Sequence, residues 1–400
     1  MKRNKKSSPM LKRIVKHSYL LLLIPVFVSN AADRPGLLLN GSIKAEHNDN
    51  VLNNEAETSD TAIIVTPDVK YLGLMGKHSF LISYKGKFAN FTKDSDLSFN
   101  EHNISAGANL DHSHKINSEF KLAYDRKVED PGATNSSTQT LTDFNEYENK
   151  SLIAKVYYGQ KKSIGQIVLG YRYNDREYLN NQQSYRDVEQ NQFNATFFYR
   201  IAPKTRILVQ ASTEDYDYED QTLTNGVIFN QSSTNNLYLA GIEWQATAKT
   251  TGTFKIGQQD KDYDDDRLID ISGLSYMLDL SWKPNTYTEI KLGADRQTTE
   301  SAQLNESGFL STSYSIDVTH DLTSLTTLKA KYIKDDYDIV FSSGSANRTD
   351  KRNTLELSAS YSARDWLDIN LSYKYQEKSS NLDIYNYNSN IISLSLETNF

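Results

Sequence analysis

The chain has 400 residues, with 44 Lys and Arg against 51 Asp and Glu, seven His, no Cys and a mean hydropathy of −0.62. An acidic chain is a poor partner for nucleic acid, and without cysteine neither a disulfide framework nor a thiolate metal site can form. Beyond the first 31 residues no apolar run is long enough for a transmembrane helix, so any passage through a bilayer must be made of strands.

Residues 1–31 begin with Lys2, Arg3, Lys5, Lys6, Lys12, Arg13 and Lys16, continue through an apolar run from Tyr19 to Val28, and end on Ser29-Asn30-Ala31. A basic start, a short apolar centre and a small-residue exit predict a secretory signal peptide cut after Ala31. The apolar run, about ten residues, is too short to span roughly 30 Å of hydrocarbon as a helix. Residues 32–400 are then the mature domain, with 37 basic against 51 acidic residues and a net charge near −14. No Cys follows the apolar run to carry a lipid anchor.

Along the mature chain apolar and polar residues alternate with period two. Phe80, Ile82 and Tyr84 fall on one face of a strand, as do Ile104, Ala106, Ala108 and Leu110, then Leu152, Ala154, Val156 and Tyr158. The pattern recurs at Ile167 to Tyr173, Phe193 to Tyr199, Tyr238 to Trp244, Leu274 to Trp282 and Leu355 to Tyr361. These are half-buried strands at hairpin spacing with no amphipathic helix between them.

The connections alternate in length. Eight are short, at Leu74–Lys77, Asp111–His114, Gly159–Lys162, Ala202–Lys204, Thr247–Lys249, Lys283–Asn285, His320–Thr323 and Ala363–Asp365. Longer polar stretches separate them: Val128 to Phe144, Leu179 to Val188, Tyr216 to Ser233, Gln259 to Asp270, Thr299 to Phe309, Ile339 to Thr349 and Glu377 to Asn388. Short turns on one side and long loops on the other predict an all-β, antiparallel, up-and-down outer-membrane barrel of about 18 strands, with the short turns in the periplasm. Trp244, Trp282 and Trp366 all flank short turns and are expected to form the periplasmic aromatic belt, with Tyr173, Tyr218, Tyr337 and Tyr375 near the long loops as its counterpart. The last ten residues alternate Ile392, Leu394, Leu396, Thr398 and Phe400 against Ser393, Ser395, Glu397 and Asn399. A closing strand ending on Phe400 is expected to serve as the signal read by the barrel assembly machinery.

A closed sheet this wide leaves a water-filled lumen unless something plugs it. The positions alternating with the apolar ones carry Lys70, Lys85, Lys87, Lys121, Lys155, Arg172, Arg200, Arg206, Lys255, Lys291, Lys329, Lys331 and Lys374, with Glu119, Glu243, Glu289, Glu356, Asp368 and Glu397 among them. Charges of both signs around a wet channel suit a hydrated passenger. Lys85, Arg172, Arg200, Arg206, Lys291 and Lys331 are the expected donors along its path, and Glu243 and Glu289 the acceptors.

Two acidic runs, Glu214 to Asp220 and Asp260 to Asp266, are dense enough in carboxylates to hold Ca²⁺. They lack the glycine turn and ligand order of an EF-hand loop and read better as solvated surface. No catalytic or cofactor site is expected. Gly-x-Ser-x-Gly, HExxH and phosphate-loop motifs are absent, and the mature chain's histidines, His47, His78, His102, His112, His114 and His320, form no triad pattern.

The stretch His47-Asn48-Asp49-Asn50-Val51, followed by Ser59-Asp60, the strand Ile63 to Leu72 with Pro67, Gly76-Lys77-His78 and Tyr84, resembles the opening of the β-barrel porin 2 family, with His47 and Asn48 in place of its usual aromatic and Asp. The resemblance implies an outer-membrane barrel of the exopolysaccharide-associated EpsL and VpsM kind. Its partners would be outer-membrane lipid, a polysaccharide passenger and a periplasmic polysaccharide export protein. Two other functions fit the same barrel: a general diffusion porin, with Val128 to Phe144 folded inward as a constriction, or a structural or adhesive barrel acting through its extracellular loops.

Overall fold

The structure, a computed structural model, describes residues 35–134, 136, 143–218, 222–224, 227–245, 249–301, 306–341 and 347–399. The expected signal peptide, residues 1–31, and Phe400 lie outside the described residues. Nine strands come first: β1 (Gly36–Asn48), β2 (Asp60–Met75), β3 (His78–Phe91), β4 (Phe99–Asp111), β5 (Ile116–Val128), β6 (Glu146–Tyr158), β7 (Gly165–Tyr178), β8 (Val188–Ala202) and β9 (Thr205–Tyr218). A small hairpin, β10 (Thr222–Thr224) and β11 (Val227–Phe229), stands apart in the next connection. Nine more strands complete the wall: β12 (Ser233–Trp244), β13 (Thr250–Tyr263), β14 (Ile271–Trp282), β15 (Thr288–Thr299), β16 (Glu306–Asp321), β17 (Thr326–Phe341), β18 (Arg348–Arg364), β19 (Leu367–Ser380) and β20 (Tyr387–Asn399). Every barrel strand pairs antiparallel with its neighbours, β9 pairs with β12, and β20 pairs with β1 from Asn40↔Asn399 to Asn48↔Ile391. The 18-stranded sheet is therefore closed, as the alternation predicts.

The register separates two faces. Ile43, Ile82, Leu122, Leu169, Val209, Leu371 and Leu394 share one face, and each keeps more than half of its surface exposed. On a closed sheet a continuous band of exposed large apolar side chains is a lipid-facing surface. Trp244, Trp282 and Trp366 lie at the short-turn rim, beside the first residue of β1 and the last of β20.

Local chemistry fixes the ends of the strands. At Gly76-Lys77 the chain reverses in two residues, and Gly76 takes φ +63°, a left-handed value costly for any residue with a Cβ. Pro203 starts another two-residue turn, and the register there shifts between Arg200 and Ala202. Pro67, inside β2, has no N–H to give β3, and the β2–β3 register passes from Val65↔Phe88 to Asp68↔Lys85 without it.

The motif near residue 50 closes the seam. Asp49 accepts hydrogen bonds from Asn390 N (2.6 Å) and Asn390 Nδ2 (2.8 Å), tying the end of β1 to β20. Asn50, fully buried, donates from Nδ2 to the carbonyls of Asn54 (2.8 Å) and Asn388 (2.9 Å). Asp60, also buried, accepts from the backbone of Thr61, Lys93 and Asp94 and from the Thr92 hydroxyl.

Two sequence expectations need correction. The acidic runs are in part strand: β9 continues to Tyr218 and β13 to Tyr263, so Glu214 to Tyr218 and Asp260 to Tyr263 alternate between faces above the apolar band, while Asp264 to Asp266 turn away after β13. Tyr218 and Tyr337 consequently do not join an outer belt. Their register places them on the inner face, where both are buried, Tyr218 donating to Glu300 Oε2 (2.8 Å) and Tyr337 packing edge-on against Phe309. Tyr173 and Tyr375 occupy the outer face, in register with Leu152 and Leu355.

Placing an arginine at Leu371, on the lipid face, should cost ~2–4 kcal/mol near the bilayer midplane, whereas the same change at its inward neighbour Asn370 should cost far less. Denaturant titrations of the two variants refolded in lipid vesicles measure the difference.

Candidate functional site

The inner wall carries the polar set that alternates with the lipid-facing residues. Lys85, Arg172, Arg200, Arg206, Glu243, Glu289, Lys291 and Lys331 all lie on it by register. The fold gathers five of them toward one side. Arg206 donates to Glu243 Oε2 (2.6 Å) and Gln166 Oε1 (2.7 Å) and lies over the Phe198 ring at 4.0 Å. Lys161, from the short turn before β7, reaches Glu243 Oε1 at 2.7 Å. Glu289 accepts from Ser281 Oγ (2.8 Å), with Lys291 at 3.7 Å.

Next to this cluster the wall of β12 to β17 hollows into a recess of about 530 Å³. Its inward lining combines the hydroxyls of Thr251, Thr253, Ser281 and Ser315 with Asp279, Asp317, Lys291 and Lys331. Gly293 leaves room beside Ser315, whose Oγ would stand 2.5 Å from a Cβ at that position. Lys85, Arg172 and Arg200 are apart, on the wall of β3 to β8.

At the long-loop end the lumen is crossed. The connection from β5 to β6 turns inward, and its described residues touch strands far around the barrel. Tyr387 Oη on β20 donates to the Gly132 carbonyl (3.1 Å), Arg348 Nη2 on β18 to the Thr134 carbonyl (3.2 Å), and Asn53 Nδ2 to Asp130 Oδ1 (3.4 Å). Gly132 admits no side chain here: a Cβ would lie 2.7 Å from Asn53 Nδ2 and against the Tyr387 hydroxyl.

The base of this strap is held by Glu129, a buried carboxylate with a full set of donors. Arg186 engages both of its oxygens, the Nη1 contact measuring 3.0 Å, and Asn145 Nδ2 (2.7 Å), Ser136 Oγ (3.1 Å) and Tyr178 Oη (3.2 Å) complete the shell. Burial opposes the charge on Arg186, but the facing Glu129 carboxylate outweighs it, so its pKa is raised. Beneath the strap Val51, Ile64, Ala89, Leu97, Phe99, Val128 and Phe144 form an apolar cluster in the barrel mouth. Further buried ion pairs line the same level: Arg348 with Asp350 (3.2 Å), Lys378 with Asp350 (3.0 Å), and Lys261 with Glu300.

Nothing in the one-dimensional pattern singled out Glu129, Arg186, Gly132 or Tyr387. A buried Arg and Glu separated by 57 residues have no signature in spacing. Gly132 inside Asp130-Pro131-Gly132 was the sole usable hint, a turn signal.

Asp265 is engaged by Arg267 and by the Asn230 N–H, and the Arg267 guanidinium holds its carboxyl down to about 2. Among the described residues no group of three or more His, Asp or Glu side chains is placed to hold a metal ion.

A closed antiparallel sheet with an apolar outer band, a charged inner wall and a strap across its mouth defines an outer-membrane β-barrel of the porin-like channel class. The chain belongs to the family described as Putative beta-barrel porin 2, which matches residues 38–400. No curated protein sequence matches it. Among solved structures it is similar to the outer membrane protein OpdK of Pseudomonas aeruginosa, with a TM-score of 0.51, 11% identity, and coverage of 91% of this chain and 99% of that one. It is also similar to the ferric enterobactin receptor PfeA of the same organism, with a TM-score of 0.48, 9% identity, and coverage of 92% and 81%. At such identities the likeness is one of fold.

Arg186→Ala should leave Glu129 buried without its cation, a loss of about 3–5 kcal/mol to the strap's anchorage. The expected outcome is a barrel that keeps its heat-modifiable gel mobility, gains protease-sensitive sites between Glu129 and Asn145, and shows larger single-channel conductance.

Proposed function

We propose that this outer-membrane barrel passes an exopolysaccharide or capsular polysaccharide chain across the outer membrane, working with a periplasmic polysaccharide export protein. The observation that carries the reading is the recess on the inner wall, where hydroxyls and charges of both signs alternate over six adjacent strands. A polysaccharide is wide, hydrated and rich in hydroxyls. A surface that offers many exchangeable hydrogen bonds and no single deep site lets such a chain bind and move on. The resemblance of the His47 to Val51 and Ser59-Asp60 stretches to exopolysaccharide-associated barrels supports the same assignment.

The inward strap favours one second reading, a diffusion porin constricted by the described residues Glu129 to Thr134. The two differ in what is lost with the protein. A deletion strain should lose surface polysaccharide and recover it when the full chain is restored, while uptake of small sugars stays unchanged. Normal surface polysaccharide with impaired small-sugar uptake would assign the barrel to general diffusion instead.

A further inference from the structure

Among the described residues, inward cations without a carboxylate within 4.0 Å occur on both walls, Lys255, Lys329 and Lys331 among them, but in one sector the cations outnumber the carboxylates. Among the described residues, Lys85, Lys121, Lys155, Arg172 and Arg200 on β3 to β8 have no carboxylate within 4.0 Å. Three of them crowd together. Lys121 and Arg172 are the cross-strand partners of Ile153 on either side, and Lys155 lies two residues along from it on the same face.

The carboxylates near this sector are fewer than its cations: Asp68, across from Lys85, is held by Lys70 at 2.9 Å, and Glu214 lies beyond Gln192 from Arg172. Glu119, directly across from Lys155, accepts from the Tyr157 hydroxyl (2.9 Å) and keeps its negative charge, so it offsets one of the three clustered cations. Asp125 is paired with Lys127 (2.7 Å) and accepts from Asn103 Nδ2 (2.6 Å). Glu101 is taken by Lys87 at 3.1 Å. Three cations around Ile153, with Glu119 facing Lys155, leave a positive surplus on this face that an anion in the lumen would offset. It is not a by-product of composition either, because the chain as a whole is acidic. Across the lumen, β14 to β17 mix Asp279, Asp295 and Asp317 with Lys329 and Lys331, so no comparable surplus exists there.

We propose that the β3 to β8 wall is an anion-binding strip and that the polymer it guides carries negatively charged groups. Free cations spaced along successive strands present a chain of acidic sugars with repeated weak contacts, each screened by water and none strong enough to arrest it. The inference rests on the polysaccharide reading for the identity of the passenger, while the strip itself is a property of the barrel.

The test uses the purified full chain in planar bilayers under a KCl gradient. The reversal potential should show anion preference, and oligogalacturonate should block the current at a concentration at least tenfold below that needed for a neutral malto-oligosaccharide. The triple variant Lys121→Glu, Lys155→Glu, Arg172→Glu, checked for folding by heat-modifiable mobility, should abolish or invert both preferences. If the strap holds the current near zero, calorimetric titration of the detergent-solubilised barrel with the same two oligosaccharides reads the same difference. Cation preference in the wild type, equal affinity for the two sugars, or a triple variant indistinguishable from wild type would overturn the proposal. A strip that behaves as expected in a protein whose deletion leaves surface polysaccharide intact would instead overturn the polysaccharide reading and leave an anion-selective channel.

Discussion

Everything in this molecule follows from the hydrogen bonds between β1 and β20. Inside a bilayer no water is available to an unpaired N–H or C=O, so a sheet can sit there only if its two edges meet. The pairing from Asn40↔Asn399 to Asn48↔Ile391 makes them meet, and Asp49 extends the junction past the end of β1 through its contacts with Asn390. The family-like stretch around Asn50 is thus a fastening of the seam. Asn50 bridges the β1–β2 connection to the Asn388 carbonyl, while Val51 enters the apolar cluster of the mouth.

Closure also divides the residues into two environments with opposite demands. The outer face can be as apolar as lipid requires because the inner face carries the polar half of the alternation. The inner face is not uniform along its length. Toward the short turns it is half-open and lined by the recess between β12 and β17; toward the long loops it is packed with tyrosines, buried ion pairs and the strap. Ions buried in pairs are costly unless fully partnered, and Glu129 shows such partnering with four residues donating to one carboxylate. That investment in a loop, where solvent exposure would be cheaper, is what gives the strap a functional meaning.

The charge on the inner wall is organised by position. Arg206 and Lys161 share Glu243 close to the short-turn rim, and Lys87 pairs with Glu101 across β3 and β4. Lys121, Lys155 and Arg172 remain outside such pairs. A passenger moving through the barrel therefore meets a recess with balanced charge on one side and a cationic strip on the other.

The strand count, the alternation of short turns and long loops, the lipid face and the identity of the inward residues were legible in the sequence, because the two-residue period ties each side chain's direction to its position in the chain. The reach of the strands was not: Glu214 to Tyr218 and Asp260 to Tyr263 are too polar to resemble membrane strands, yet they continue the ladder above the apolar band, where pairing with neighbours alone decides. Tyr218 lies on one of these extensions, and the parity of β9 and β17 turns it and Tyr337 inward. An inward turn of Val128 to Phe144 was among the sequence readings, but what holds it was not. Its anchors join Glu129 to Arg186, Gly132 to Tyr387 and Thr134 to Arg348, contacts between residues 57 to 255 positions apart. Local pattern records which face a residue takes; only closure of the sheet brings distant strands around a common axis, and so only the tertiary structure could decide what crosses it.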